Sequence, residues 1–398
     1  MIDSPVPFAD AELFFSRTDP HGMIRAGNTV FRRVSGFDWN ELIGRPHQVV
    51  RHPDMPRGVF WLLWDTIGRG EPVGAYVKNR AKDGRYYWVY AIVTPIEGGY
   101  LSVRLRPESA TFARIEQEYA ALAARERQEE LAPADSAALL LERLSALGFV
   151  DYQTFAAAAL TEELLARAPR MGDKADARLR AFPKLQVAAS RLRDQAAAIS
   201  ASHHHYATIP VNLQIQSAAL GGAGAPLAAI ARYYSMIAER MKAAMDSFCG
   251  AATEVQRSVA HGMFLTGVAL VQAEMSAMFR GEGDGDKVTE LAAERALLDA
   301  QSQQYDQLSR DGLVAITRQA DRFRSICADM DRLTAGVQVT AVMAEIETAG
   351  VAGGRQRLAG LLAELKGFQT SLSNAFTALS QHSREVKDRS AALLHANS

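Results

Sequence analysis

Arg51, His52 and Asp54 fall within one short run, Val50-Arg51-His52-Pro53-Asp54-Met55-Pro56. An arginine offers a rigid fork of donors suited to a phosphate or a ring carbonyl, or it serves a structural ion pair. A histidine donates or accepts a proton near neutral pH. Asp54 either orients that histidine or caps the helix that follows. Downstream, Val59, Phe60, Leu63, Trp64 and Ile67 share one face of a helix opened by Pro56, so Trp64 is either a pocket wall or plain core. His47 and His52 are also candidate iron ligands. The run His203-His204-His205-Tyr206 reads as a solvated helical face, because consecutive helical residues diverge and cannot converge on one ion. Cys249 and Cys327 stand far apart with no CxxC spacing, which fits a reducing compartment and gives no zinc site. The chain has no Walker loop, dinucleotide fingerprint or nucleophile elbow, so a non-enzymatic role is expected.

The elements that must hold these residues lie before residue 110. All four tryptophans, Trp39, Trp61, Trp64 and Trp88, precede that point, and alanine-rich runs follow it. A strand from Leu13 to Thr18 turns at Asp19-Pro20-His21-Gly22 and resumes at Met23 to Ala26. Asn28 can cap a short helix, and Asp38 with Glu41 has capping-box spacing. Three strands follow, Val73 to Arg80, Arg85 to Pro95 and Tyr100 to Arg106, joined by Lys82-Asp83-Gly84 and Glu97-Gly98-Gly99. The middle strand is apolar on both faces, the mark of a central position. An α+β domain with an antiparallel five-stranded sheet and short helices is expected.

The wording of this segment resembles the flavin-binding PAS domain of bacterial aerotaxis receptors. The resemblance rests on Ser35-Gly36-Phe37, Glu41-Leu42-Ile43-Gly44-Arg45-Pro46-His47 and the run from Val50 to Pro56. Gly70-Glu71-Pro72, Val77-Lys78-Asn79-Arg80, Lys82-Asp83-Gly84 and Tyr87-Trp88-Val89 continue it. It implies a bound flavin, FAD, with the residues matching Arg51, His52 and Asp54 needed for binding and those matching Asn28 and Asn79 also involved. Trp64 joins the cofactor-site set from periodicity. One departure is Val73, where the family often carries tryptophan. It leaves haem, or no ligand, as alternatives to flavin.

Beyond residue 110 the sequence reads as helix. Shorter helices over 112–170 break at Ala132-Pro133 and Gly148, and long helices follow, with breaks at Gly221-Gly222-Ala223-Gly224, Gly281 to Asp286 and Gly350 to Gly354. The acidic break at 281–286 lacks the calcium-loop pattern and reads as a solvated linker. Phe323, Ile326, Met330, Leu333, Val337 and Thr340 follow heptad spacing, as do Leu358, Leu361, Leu365, Phe368, Leu372, Ala375 and Leu379. Two antiparallel hairpins closing as a four-helix bundle are expected. Asn212, Ile215, Ala218, Gly221, Gly224, Leu227, Ile230 and Ala231 resemble the signalling tip of chemotaxis receptors, with Gln216 and Ala219 replacing that family's charged residues. The expected organisation is a PAS sensor domain over 1–110, a short-helix connector over 111–171 and a signalling bundle over 172–398.

Bulk properties bound the rest. A net charge of −1 over 398 residues offers no basic field for nucleic acid. The N-terminus lacks a basic region followed by an apolar core, and the window Met263 to Phe279 is too short to span a bilayer. A cytoplasmic redox or oxygen sensor is expected, a homodimer that signals to a protein partner such as chemotaxis components. A cofactor-free scaffold and a haem-based gas sensor are the alternatives.

Overall fold

The structure is a computed structural model that describes residues 2–206, 209–219, 225–281, 291–349 and 354–395. The glycine turns expected at 221–224 and 350–353, and residues 282–286 of the acidic break, lie outside the described residues, as do the side chains of His203, His204 and His205. The chain divides into two compact units, residues 1–183 with 260–312, and residues 184–259 with 313–398.

In the first unit, β1 (Phe14–Thr18) and β2 (Ile24–Gly27) form the expected hairpin. Helix α1 (Thr29–Ser35) starts at Asn28, whose side chain accepts from Phe31 N, and ends at Gly36 in the left-handed region. Helix α2 (Trp39–Leu42) opens with the Asp38–Glu41 capping box. A 3-10 turn, His47–Val50, leads to α3 (Arg57–Gly68). Strands β3 (Val73–Arg80), β4 (Tyr86–Ile96) and β5 (Gly99–Leu105) complete an antiparallel five-stranded sheet of order β2-β1-β5-β4-β3. Strand β4 is interior and buried on both faces, as its sequence requires. Gly99 is fixed by close approach: a Cβ there would lie 1.9 Å from Thr18 O.

Helices α4 (Ala110–Glu129), α5 (Pro133–Ala146) and α6 (Tyr152–Arg170) follow, broken where Pro133 and Gly148 predict. The sheet face formed by Gly74, Tyr76 and Tyr90 is covered by α6: Tyr90 Oη donates to Ala156 O at 2.6 Å, and Tyr76 Oη to Glu163 Oε1 at 2.8 Å. It is also covered by far-downstream chain. Phe264 and Phe279, near the end of α9 (Ala225–Arg280), meet Gly74 and Phe15, and Glu294 in α10 (Leu291–Ala349) pairs with Arg17. The compact unit therefore departs from the expected boundaries at 110 and 171, because a sheet with two apolar faces needs cover on both.

In the second unit, α7 (Ala177–Tyr206), α9, α10 and α11 (Gly354–His395) meet side to side, and α8 (Ile209–Ala219) packs on α11. Phe248 of α9 touches Phe323 of α10 and Phe376 of α11, with centroids 5.3 and 5.5 Å apart, and Cys249 Sγ lies 3.5 Å from Ala196 O of α7. Ser383 and Ser390 of α11 donate to Ala320 O and Leu313 O, so α10 and α11 run antiparallel. The seam is shifted from the expected one: Phe323, Cys327, Met330 and Thr334 are buried, whereas Ile326 and Leu333 are half-buried. Along α11 the buried set is Leu372, Phe376 and Leu379, with Phe376 in place of Ala375. Among the described residues one helix, Ala228–Arg280, is long and apolar enough to cross a membrane by length and composition, although 72% of its apolar window is buried within the protein.

Candidate functional site

The other face of the sheet is concave and looks onto α3. Because strand side chains alternate, every second residue enters this space: Ser16 and Thr18 from β1, Val77 and Asn79 from β3, Ala91 and Val93 from β4, and Tyr100, Ser102 and Arg104 from β5. From the opposite side α3 contributes Phe60, Leu63, Trp64 and Ile67, and the 3-10 turn contributes His47 and Gln48. They enclose a cavity of about 340 Å³. Its walls are largely apolar with a few convergent polar groups, the usual make-up of a small-molecule pocket.

Arg51, Trp64 and Asn79 line this cavity. The Arg51 guanidinium lies 3.9 Å from the centroid of the Phe60 ring, a cation–π contact. Burial lowers its basicity, and Glu126 opposes that effect. Trp64 stands at the rim, 44% exposed and edge-on to Tyr100 at 5.6 Å. Gly22, with φ of 77°, lets the β1–β2 turn close on that indole: a Cβ there would sit 3.1 Å from the Trp64 ring.

Asn28, His52 and Asp54 do not line the cavity. Asn28 is 1% exposed; its carbonyl oxygen accepts from Phe15 N and Phe31 N, and its amide donates to Leu13 O. It ties β1 to α1. His52 is buried, and its Nδ1 accepts from Asp54 N at 3.2 Å. The Asp54 carboxylate lies 3.5 Å from that nitrogen and 3.6 Å from Lys78 Nζ, so it leans on β3 rather than capping α3. The cap comes from α4 instead. Glu126, buried, accepts from Arg57 N at 2.7 Å, from Gly58 N at 3.2 Å and from Ser136 Oγ. A carboxylate at a helix N-terminus complements the helix dipole. This one fastens α4 and α5 to the helix that forms the cavity wall, and a Cβ on Gly58 would lie 2.5 Å from Ala137 N.

The sheet end of the cavity holds a polar group that the sequence reading missed. Arg104, 5% exposed, donates from Nη1 to Ser16 Oγ at 3.0 Å and lies with Nη2 2.8 Å from His47 Nε2. Burial first, then the Arg104 charge, pushes the His47 imidazole down to about 3, so it is neutral at pH 7 and accepts this bond. Burial brings Arg104 down to about 10, which still leaves it charged at neutral pH. His47 also stacks on Phe31 with centroids 5.8 Å apart. Ser102 is buried on the same face, and its Oγ has no hydrogen-bond partner. The signal was present in β5: Leu101, Val103 and Leu105 alternate with Ser102 and Arg104, so the two polar residues had to share a face.

A wider, more open groove of about 950 Å³ shares Gln48 and Arg51 with the cavity. Arg57, Arg80 and Arg127 line it, with Glu126 and Glu130. Among the described residues no cluster of His, Cys, Asp or Glu is placed to hold a metal ion.

The family match and the sequence relatives agree with this architecture. Residues 26–103 match the PAS fold family. Over 121 residues the chain is 44% identical to the aerotaxis receptor of Escherichia coli strain K12, a match covering 29% of this chain and 24% of that protein. It is 27% identical over 86 residues to the nitrogen fixation regulatory protein of Klebsiella pneumoniae, covering 22% of this chain and 17% of that one. The chain thus matches about a quarter or less of the length of these curated relatives. Among solved structures, a PAS domain from Colwellia psychrerythraea aligns at 20% identity with a TM-score of 0.21, covering 24% of this chain and 85% of that one. The LOV domain of the photoreceptor Aureochrome1 in its light state aligns at 20% identity with a TM-score of 0.23, covering 29% and 90%. The N-terminal domain has the PAS fold and is similar in sequence to that of an aerotaxis receptor.

Proposed function

We propose that this chain is a signal-transduction sensor, not an enzyme, whose N-terminal domain binds a flavin between α3 and the sheet and reports its redox state, as an oxygen or energy sensor would. The observation that carries this reading is the cavity itself. Its apolar walls suit the body of a planar ring system, and Asn79, Ser102 and Arg104 offer donors to one polar edge. The orphaned Ser102 Oγ is a test of fit: a buried hydroxyl without a partner costs free energy that a ligand acceptor would restore.

The groove beside the cavity supports FAD within the flavins. Arg51, Arg57, Arg80 and Arg127 would hold its phosphates, with guanidinium forks matching phosphate geometry. When bound, the flavin would supply reversible electron acceptance; this chain would orient it and exclude water from its buried edge. Haem suits the site less well, because His47 Nε2 already faces the Arg104 guanidinium, and a cation 2.8 Å away opposes a metal ion there.

Output would pass through Glu126, which joins α4 and α5 to the cavity-wall helix, toward helical packing and a protein partner. A chemotaxis component, self-association as a homodimer and a cytoplasmic location belong to this same reading. A switch of this kind requires a ligand that interacts differently with two conformations.

The test is a visible absorption spectrum of purified protein, with the released chromophore identified by mass. Oxidised-flavin bands with FAD at one per chain support the reading, and Arg51→Ala should reduce occupancy at least tenfold. A colourless protein that stays colourless after incubation with excess FAD contradicts it and favours a cofactor-free scaffold.

A further inference from the structure

Arg104 has a property the fold alone does not require. It is a buried cation whose hydrogen-bond partners, Ser16 and His47, carry no negative charge. No carboxylate lines the cavity it faces, and among the described residues no acid forms an ion pair with it. Elsewhere in the same unit a buried arginine has a counter-ion: Arg167, 3% exposed, lies 2.5 Å from Glu274 Oε1. An uncompensated buried charge is expensive, so a fold that keeps one must satisfy it in some other way. A guanidinium has five N–H groups; Ser16 and His47 take two, and the Phe31 ring 5.7 Å away offers only its face, so donors are left over. Beside it on the same strand face, Ser102 Oγ is buried and unpartnered. Two polar groups with unused capacity thus stand together at the sheet end of a largely apolar cavity, away from Arg51 and Gln48.

We propose that Arg104 and Ser102 form an anion-selective corner, so that the cavity binds its planar ligand more tightly when the ligand's buried edge carries a negative charge. The inference rests on the flavin reading and names the form of the ligand that the site favours. Two electrons from a reductant and one proton from solvent convert the neutral oxidised ring system into a singly protonated anion. The proton goes to the central ring nitrogen, and the charge is shared by the nitrogen and carbonyl oxygen of the pyrimidine edge. That edge is the one rich in acceptors, and Arg104 and Ser102 are the donors that meet it. Ser16 and neutral His47 act as positioning residues that hold the guanidinium fork in place.

The experiment is a spectroscopic redox titration of the full chain loaded with FAD, using dithionite as reductant and free FAD as reference. The difference in midpoint gives the ratio of affinities for reduced and oxidised FAD. The wild type should favour the reduced form at least tenfold, about 30 mV for a two-electron couple. Arg104→Met should bring that preference close to unity, and Arg104→Lys, which keeps the charge, should retain most of it. Should Arg104→Met fail to fold, Arg104→Gln against Arg104→Lys separates charge from hydrogen bonding by the same ratio. A wild type with no preference, or a neutral variant with the wild-type ratio, overturns the corner while leaving flavin binding intact. A wild type that binds neither form overturns the flavin reading itself, and the proposal with it.

Discussion

The two units bury different things. The first, which contains the PAS domain, buries Arg104, Glu126, Glu163, Arg167 and His52, each held by directed hydrogen bonds or ion pairs. In the second, the buried polar residues among those described are serine, threonine and glutamine, and its seams are filled by Phe248, Phe323, Phe376 and their neighbours. Buried charge is costly and geometrically demanding, whereas a seam asks only for apolar volume at the right spacing. The contrast separates a region built to hold something at fixed geometry from one built to pack helix on helix.

The largest effect is expected from the apolar seam. Phe248→Ala removes a ring that touches both Phe323 and Phe376, and should cost about 4 kcal/mol. All four tryptophans lie in the first unit, so tryptophan fluorescence reports that unit while far-ultraviolet dichroism weights the long helices. The loss should appear first in the dichroism melt; a loss confined to the fluorescence melt would blur the distinction between the units.

A smaller effect is expected from the polar side. Glu163 Oε1 and Oε2 accept from Tyr76, Glu108 and Ser109, and a glutamine can present only one of these acceptors. Glu163→Gln should cost about 3 kcal/mol, seen as a lower urea midpoint by tryptophan fluorescence. Its burial also raises the carboxyl above its ordinary value, while the four donors pull the other way.

Acid should act on the same unit. His47 is depressed from 6.5 to about 3 in the folded protein, so between those values the unfolded chain binds the extra proton. Stability from this group is complete above pH 6.5 and falls by about 1.4 kcal/mol per pH unit below it. Denaturant midpoints at pH 7, 6 and 5 should therefore converge for wild type and His47→Gln as pH falls, the variant losing less. Parallel lines would show that His47 is not held neutral. The smallest change is Ser390→Ala in α11, which removes a donor to Leu313 O and should cost at most about 1 kcal/mol, measured as a shift in the dichroism melt.

Local signals were readable in the sequence, and long-range ones were not. Asn28 and the Asp38–Glu41 box act within a few residues of themselves, so their roles as caps follow from spacing. Strand β4, apolar on both faces, declared its interior position. Of the six residues expected at the cofactor site, the fold brings Arg51, Trp64 and Asn79 to one cavity, whereas Asn28, His52 and Asp54 lie outside its lining. Arg104 escaped notice because its partners, Ser16 and His47, come from another strand and a turn far away in sequence. The cover supplied by Phe264, Phe279 and Glu294 was invisible for the same reason: a helix stripe does not state which sheet it will meet. The seam over Phe323 to Thr334 was legible as a seam but misregistered, since residues three and four apart satisfy the spacing equally well.

Flavin binding in this particular cavity can be tested without reference to redox state. The direct measurement is a fluorescence-quenching titration of flavin-free protein with FAD, comparing wild type with Ala91→Phe, whose ring would fill the space between α3 and β4. Saturation at one FAD per chain is expected for the wild type and at least a hundredfold weaker binding for Ala91→Phe, with its dichroism spectrum unchanged. Equal binding by both proteins would place the ligand elsewhere and contradict a flavin site between α3 and the sheet.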